Sequence, residues 1–364
     1  LFTSPSNHSG RDLAMSKALT LKVAYIERET EDAVTIHLKQ PLLRKIRYTA
    51  GQYLTLEVDV DGDGAKGCRA YSISSTPGLD KTLSITVKRI AGGKVSNRLV
   101  QQLAAGDAVH TLGAHGRFTF APQPGKRRHL VLFAAGSGIT PIFSILKSAL
   151  HFEADSRVSL IYGNRNTDSV IFRDKLEQLQ RLFGERLNLL HVLSQPESPH
   201  PHSGRLTRQR VGEILQALPN PPGYAIEYYA CGPNGMMDEV TEALQAMGVP
   251  PEAVHTESFT PAKASTQPPV QSNAPKQVQL LMQGQEFSFA VPPGQTILEA
   301  ALANGVQPPF SCRSGFCTAC ICTKLSGEVE MREDHGLSSA ELKMGHALMC
   351  IGYPATDDVR LQVD

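Results

Sequence analysis

The chain has 364 residues, 41% of them hydrophobic and 20% charged, with a formal net charge of +1. That length supports two or three domains, each able to bury a core. The near-neutral balance argues against a broad nucleic-acid footprint, which needs a basic excess, and no apolar run is long enough to span a membrane.

The chain begins LFTSPSNHSGRDLAM, a polar stretch without the apolar centre of a secretion signal. Residues 1–19 read as an N-terminal arm, of which 1–14 look like an appended remnant or a disordered tail before Met15. Seven cysteines without a secretion signal read as reduced, metal-binding thiols. The expected location is the cytoplasm.

Residues 20–125 alternate apolar and polar positions in LKVAYIE, AVTIHL, YLTLEV, AYSIS and LSITVKR, punctuated by turns such as DGDG at 61–64. Period-two alternation at this spacing predicts an antiparallel β-barrel or sandwich. Arg69-Ala70-Tyr71-Ser72 places a guanidinium and an aromatic ring on one strand face, a pair suited to a flavin phosphate and its ring or ribityl chain. A surface arginine beside a half-buried tyrosine fits the same residues. Downstream, Gly92 to Asn97 predicts a turn in which Ser96 caps the helix NRLVQQL and leaves N–H groups aimed at an anion. A plain hairpin-to-helix turn is the alternative.

Residues 126–260 change period. HLVLFAA, RVSLIY, LNLLHVL and AIEYYA read as buried strands, with helices around 141–150, 172–183, 207–218 and 234–247. Such alternation predicts an α/β domain with a parallel sheet covered on both faces. Gly136-Ser137-Gly138-Ile139-Thr140-Pro141 follows the first strand, a context in which glycines let the backbone approach a pyrophosphate. Pro141 stands about where the third glycine of a dinucleotide fingerprint would be, and a ligand-free βα turn remains the alternative. Cys231-Gly232-Pro233-Asn234 ends the last strand at the edge where open sheets bind ligands. A small thiol there could bound a nicotinamide ring, or simply fill the core.

Residues 261–275, PAKASTQPPVQSNAP, cannot build a core and read as a semi-extended linker. Residues 276–364 then predict a small α+β module. QVQLLM and FSFAV pair as strands; Thr296 and Glu299 form a capping box ahead of ILEAALAN; Ser338 and Glu341 form a second; VRLQV closes the chain. Cys312, Cys317, Cys320 and Cys350 give C-x₄-C-x₂-C with a distant fourth thiolate, the plant-type spacing for a 2Fe–2S cluster. Arg313, Ser314 and Gly315 suit a tight loop whose N–H groups meet sulfur. Zinc is the competitor, but it favours two C-x₂-C pairs, and only one is present. Cys68 and Cys322 read as small buried residues.

Taken in order, RAYS, GSGITP and CGP resemble the ferredoxin-NADP reductase superfamily over about residues 20–260. With a plant-type β-grasp ferredoxin behind them, the chain resembles single-chain oxygenase reductases. YGNRNTDSVIFRDKLEQL, CGPNGMMDEV and HTESFTP are similar to the branch serving phenylacetyl-CoA epoxidase, ketosteroid hydroxylase and hybrid-cluster protein. The resemblance implies that Arg69, Tyr71 and Ser72 hold the flavin, with Ser72 near its N5. Lys94, Val95 and Ser96 would hold its diphosphate, and Gly136, Gly138, Ile139 and Thr140 the nicotinamide dinucleotide. Cys231 and Glu257 would line the hydride-transfer site beside Gly232 and Pro233, with Phe259 covering the flavin. Ser72, Cys231 and Glu257 are thus the expected catalytic set.

Together these readings predict a two-to-one electron converter. A nicotinamide gives two electrons at once, a cluster takes one, and a flavin stands between them. FAD is expected rather than FMN because a second anion-binding turn suits a diphosphate. NADPH is expected rather than NADH because Gly163-Asn164-Arg165-Asn166 has no acid before Asp168, and Arg165, assisted by Arg173, can take a 2′-phosphate. The expected partner is a terminal oxygenase. The rivals are a reductase for a hybrid iron–sulfur protein and a zinc-bearing interaction module on an inactive flavin domain. Glu328, Glu330, Glu333 and Asp334 would either steer a basic partner or form a solvated turn.

Overall fold

A computed structural model describes residues 19–41, 45–59, 66–219, 222–259, 274–310, 313, 315, 318–331, 337 and 339–363. The first unit is an antiparallel sheet of β1 (Leu19–Thr30), β2 (Ala33–Lys39), β3 (Tyr53–Asp59), β4 (Lys66–Ser72), β5 (Leu83–Lys88) and β6 (Ala108–His115), in the order β4-β3-β6-β1-β2-β5. Ile73 bridges Ile85, which brings the β4 edge round to β5 and closes the sheet on itself. Alternation along the strands points Leu21, Val23, Val34, Ile36, Leu54, Leu56 and Ile85 into one core. Three register irregularities, two in the β1–β2 ladder and one between β3 and β6, supply the bends that closure requires.

Helix α1 (Lys94–Gln101) joins β5 to β6. Its N-cap is Gly93, not Ser96. Ser96 is buried one turn inside, where its hydroxyl accepts a hydrogen bond from the Ile90 N–H at 3.1 Å. The expected cap is therefore corrected: the helix begins three residues earlier, and this serine pins the preceding loop.

The second unit is a parallel sheet of β7 (Arg128–Ala135), β8 (Arg157–Asn164), β9 (Leu187–Leu193), β10 (Ala225–Gly232) and β11 (Val254–Ser258), in the order β11-β10-β7-β8-β9. Helices α2 (Ile139–Phe152) and α3 (Arg173–Phe183) cover one face, and α4 (Arg208–Ala217) and α5 (Asn234–Ala246) the other. β7 is buried almost throughout, as a central strand covered on both faces must be.

The third unit has β12 (Lys276–Met282), β13 (Gln285–Val291), helix α6 (Ile297–Ala303), β14 (Ile321–Ser326), β15 (Val329–Met331), helix α7 (Ser339–Lys343), β16 (His346–Leu348), β17 (Gly352–Pro354) and β18 (Val359–Val363). Its main sheet runs β13-β12-β18-β14-β16, with β12 and β18 parallel, and β15 pairs with β17 apart from it. The Thr296–Glu299 capping box forms in both directions. Ser338 of the second expected box, the arm at 1–18 and nearly all of the expected linker lie outside the described residues.

Polar contacts fix the first unit on the second. Ser144 Oγ donates to the Ser75 carbonyl at 2.6 Å, and Thr76 Oγ1 donates to the Ser144 carbonyl at 3.2 Å. Lys175 on α3 reaches back to Glu27 at 2.7 Å and Glu29 at 2.6 Å on β1. Among the described residues, no helix is long and apolar enough to cross a membrane.

Candidate functional site

A cavity of about 820 Å³ lies where the three units meet, within the size range of cofactor sites. The barrel contributes Tyr53, Arg69, Tyr71, Ser72 and Lys88 to Ile90. The parallel sheet contributes Ser137, Thr140 and the run from Val254 to Phe259. The C-terminal unit contributes Thr318, Ile321, Glu341 and Met344.

Strand pairing explains the barrel side. Ser72 stands opposite Tyr53, Tyr71 opposite Leu54 and Arg69 opposite Leu56. Directly after Ser72 the chain turns into the contact between Ser75, Thr76 and α2, so the arginine–tyrosine–serine motif sits at the seam between units. Burial pushes the Tyr71 phenol up to about 12, which leaves a neutral ring. Arg69, Lys88, Arg89 and Arg117 give the cavity a cationic surplus over Glu257 and Glu341. That surplus suits an anionic ligand such as a dinucleotide diphosphate.

Two buried oxygens in this cavity have no hydrogen-bond partner: Ser72 Oγ and Glu257 Oε2. Native proteins rarely leave such atoms unpaired, and a flavin ring, whose edge carries both donors and acceptors, would satisfy them. Burial, with the charge of Glu341 adding to it, pushes the Glu257 carboxyl up to about 8. The residues therefore fit a flavin.

Behind Glu257 lies Cys231, its partner in the β10–β11 register. Cys231 is wholly buried, and burial together with Glu257 pushes its thiol well up, so it is a neutral packing sulfur and not a nucleophile. Gly232 pairs with Ser258, and Pro233 leads into α5, where Ser258 donates to Asn234. Cys231, Gly232 and Pro233 do not line the cavity themselves.

The two glycines of the βα turn serve different ends. Gly136 has φ +54 and open space where a side chain would be, as close approach of a ligand needs. A Cβ on Gly138 would lie 2.1 Å from the Cys231 carbonyl oxygen, so this glycine is committed to packing α2 against β10. Ile139 starts α2, and Thr140 Oγ1 donates to the Ser137 carbonyl at 2.8 Å. Of the expected flavin-diphosphate set, Lys94, Val95 and Ser96 stay outside the cavity, which reaches only to Arg89 and Ile90 in that region. Arg165 follows the end of β8, two-thirds exposed at 66%, with its guanidinium 3.9 Å from Asp32 of the barrel. Arg173 opens α3 between Asp168 at 3.9 Å and Asp174 at 3.5 Å. Phe259 is half-exposed at the cavity rim with Ile90 and Met344.

In the C-terminal unit, Cys320 and Cys350 are buried side by side, and the Cys350 N–H donates to the Cys320 sulfur at 3.4 Å. An N–H aimed at sulfur stabilises a thiolate. Arg313, Gly315 and Thr318 have left-handed backbones, with φ of 53, 82 and 46. Two of these are not glycine, so the loop carries strain of a kind common at ligand sites. Cys312 and Cys317 lie outside the described residues. The described thiols and the four-cysteine spacing fit a 2Fe–2S cluster. Cys322 is buried and donates to the Ala347 carbonyl at 3.4 Å, as a packing residue would. The Cys68 side chain lies outside the described residues. Of the acidic stretch, Glu328 pairs with Lys324 at 2.8 Å, and Glu333 and Asp334 lie outside the described residues.

Tyr53, Arg117, Glu341 and Met344 join the site without any local signal in the sequence, and Thr318 joins it from inside the cysteine motif. They meet only because distant segments fold together, and no spacing rule marks that.

Known proteins give the same three-part division. Residues 20–120 match the oxidoreductase FAD-binding domain, 132–242 the oxidoreductase NAD-binding domain and 280–355 the 2Fe-2S iron-sulfur cluster binding domain. The last match favours iron–sulfur over zinc. The chain is 35% identical to a component of the 1,2-phenylacetyl-CoA epoxidase of Escherichia coli (strain K12), over 95% of this chain and 97% of the relative. It is 34% identical to the 3-ketosteroid-9-alpha-monooxygenase ferredoxin reductase component of Rhodococcus rhodochrous, again over 95% and 97%. Phthalate dioxygenase reductase, solved as a modular structure for electron transfer from pyridine nucleotides to 2Fe–2S, superposes with a TM-score of 0.55 at 25% identity, covering 95% of this chain and 98% of its own. With barrel, parallel sheet and ferredoxin unit all matched end to end, the chain belongs to the family of FAD- and NAD-binding oxidoreductases that carry a 2Fe–2S ferredoxin domain.

Proposed function

We propose that this chain is the reductase component of an oxygenase system, taking hydride from NADPH and delivering single electrons to a terminal oxygenase through FAD and a 2Fe–2S cluster. The observation that carries this reading is the convergence of Ser72, Glu257 and Thr318, one from each unit, on a single cavity. When bound, FAD supplies the chemistry of accepting an electron pair and releasing it singly.

The chain's own residues bind, orient and exclude water. Arg69, with Lys88 and Arg89 nearby, would neutralise the flavin phosphates; Tyr71 offers a neutral ring face; the Ser72 hydroxyl would meet the N5 edge. Glu257, largely protonated at neutral pH, can donate a hydrogen bond there and hold a proton. Phe259 at the rim would keep water off the flavin face. Gly136 and Thr140 would receive the dinucleotide, with Cys231 as an uncharged wall behind the nicotinamide. Lys94, Val95 and Ser96 would reach the distal phosphates only if the ligand extends beyond the cavity. Cys312, Cys317, Cys320 and Cys350 would hold the cluster.

The preference for NADPH is supported by Arg165, exposed at the β8 tip with no acid before Asp168. The acceptor is supported by the relatives, which include components of phenylacetyl-CoA epoxidase and reductases of 3-ketosteroid and glycine betaine monooxygenases. The test is reconstitution of the purified holoprotein with candidate acceptors. The reading expects NADPH consumption matched by oxygenated product. Efficient reduction of a hybrid iron–sulfur protein, with none of the oxygenases tested, would reassign the partner.

A further inference from the structure

We propose that the hydrogen bond between Tyr53 and Thr318 is a latch that seats the ferredoxin unit against the flavin cavity, which makes Tyr53 a positioning residue for the one-electron step. The proposal rests on the functional reading above, with FAD in the cavity and the cluster in the cysteine loop.

The Tyr53 hydroxyl lies 3.1 Å from Thr318 Oγ1, across 265 residues of sequence. At the barrel end, Tyr53 stands opposite Ser72 in the β3–β4 ladder. At the other end, Thr318 sits between Cys317 and Cys320, inside the ligand loop, in a left-handed conformation. Both residues line the cavity. The tyrosine ring is also held in place. Gly116 adopts φ +111, and a Cβ there would come within 2.9 Å of the ring, so the barrel leaves a slot that the ring fills. Gln52 donates to the Gly116 carbonyl at 3.2 Å and secures that slot.

Electron passage weakens steeply with separation, so a domain attached through a proline-rich segment needs a device that returns it to one seat. Interfaces between domains of one chain are small and polar, and relative motion is the ordinary expectation. A single hydrogen bond between the barrel and the cysteine segment would bias the seated state about threefold to tenfold. The passage itself forms no bond: the reduced flavin loses one electron and the oxidised cluster gains it. Two passages discharge the pair brought by one hydride, and the flavin's proton leaves to solvent.

The experiment uses the full-length holoprotein and Tyr53→Phe, which keeps the ring in its slot and removes the hydroxyl. Flavin bleaching by NADPH and cluster reduction are followed separately in rapid mixing. The magnetic coupling between the one-electron-reduced flavin and the reduced cluster is read in frozen samples, independently of turnover. The latch predicts cluster reduction slowed about threefold to tenfold beyond any change in the bleaching of the same variant, together with weakened coupling. Thr318→Val should reproduce this, Thr318→Ser should restore it, and the double variant should add nothing further. Wild-type cluster reduction and coupling in Tyr53→Phe would overturn the latch, as would equal slowing of the bleaching step. A wild-type protein whose flavin NADPH cannot bleach would overturn the functional reading, and the latch with it.

Discussion

Glu257 of the dinucleotide domain and Glu341 of the ferredoxin domain line one cavity, and the charge of Glu341 adds to burial in pushing Glu257 up to about 8. Two acids brought together at low polarity resist joint ionisation. The ferredoxin unit therefore does more than present a cluster: its α7 helps hold a proton at the expected hydride-transfer site.

That relationship gives a pH signature. The folded Glu257 holds its proton up to about 8, whereas the unfolded group loses it near 4.5. Across that window the folded state binds more protons than the unfolded one, so stability falls as pH rises. Thermal unfolding of the wild type should therefore show a decline between these values that Glu257→Gln lacks. Glu341→Gln should shift the decline to lower pH. Identical pH profiles in all three proteins would refute the protonated carboxyl.

At Gly138, alanine is predicted to be costly. Its Cβ would meet the Cys231 carbonyl oxygen at 2.1 Å, and both partners are backbone, so neither can swing away. Overpacking of this sort costs about 1–3 kcal/mol or more. The midpoint of denaturant unfolding should fall accordingly, with NADPH affinity falling alongside it as α2 shifts. Gly136→Ala, with open space but φ +54, should cost about 1 kcal/mol through backbone strain alone.

Arg165→Ala should separate the two nicotinamides. Losing a charged hydrogen-bond partner of the 2′-phosphate should lower kcat/KM for NADPH about tenfold to a hundredfold and leave NADH nearly unchanged. A preference for NADH in the wild type that survives the substitution would show that the arginine serves Asp32, 3.9 Å away, and no phosphate.

Lys175→Met should loosen the seam between the first two units. Its ammonium meets Glu27 and Glu29, and the Glu29 side chain is only 5% exposed. Removing the ammonium leaves the buried Glu29 carboxylate with only the Thr35 hydroxyl as a partner, at a cost of up to about 3 kcal/mol. Differential scanning calorimetry should show a lower transition, with flavin released earlier than in the wild type.

The architecture was legible wherever a periodic pattern reports burial. β9 and β18 coincide with LNLLHVL and VRLQV because a short apolar run, or burial on alternate positions, writes a strand into sequence. β15, β16 and β17 have three residues each, too few for any period to show. β11 was hidden for another reason: VHTES carries no apolar run, since it is an edge strand facing a cavity. Ser96 misled because a serine followed by a helical pattern looks like a cap from either side of the first turn. The site divides the same way. Arg69 and Tyr71 announce themselves through strand alternation and Ser72 through the family resemblance, but that residue 53 meets 318, or 257 meets 341, depends on how whole domains dock.

The most direct test of the two-to-one converter is anaerobic mixing of the purified holoprotein with NADPH, following flavin absorbance and the paramagnetic signal of a reduced cluster together. The account predicts flavin bleaching first, then a 2Fe–2S signal that Cys350→Ser abolishes without preventing the bleaching. A protein that lacks iron and inorganic sulfide as isolated, or whose flavin is bleached by NADPH while no cluster signal ever appears, would contradict it.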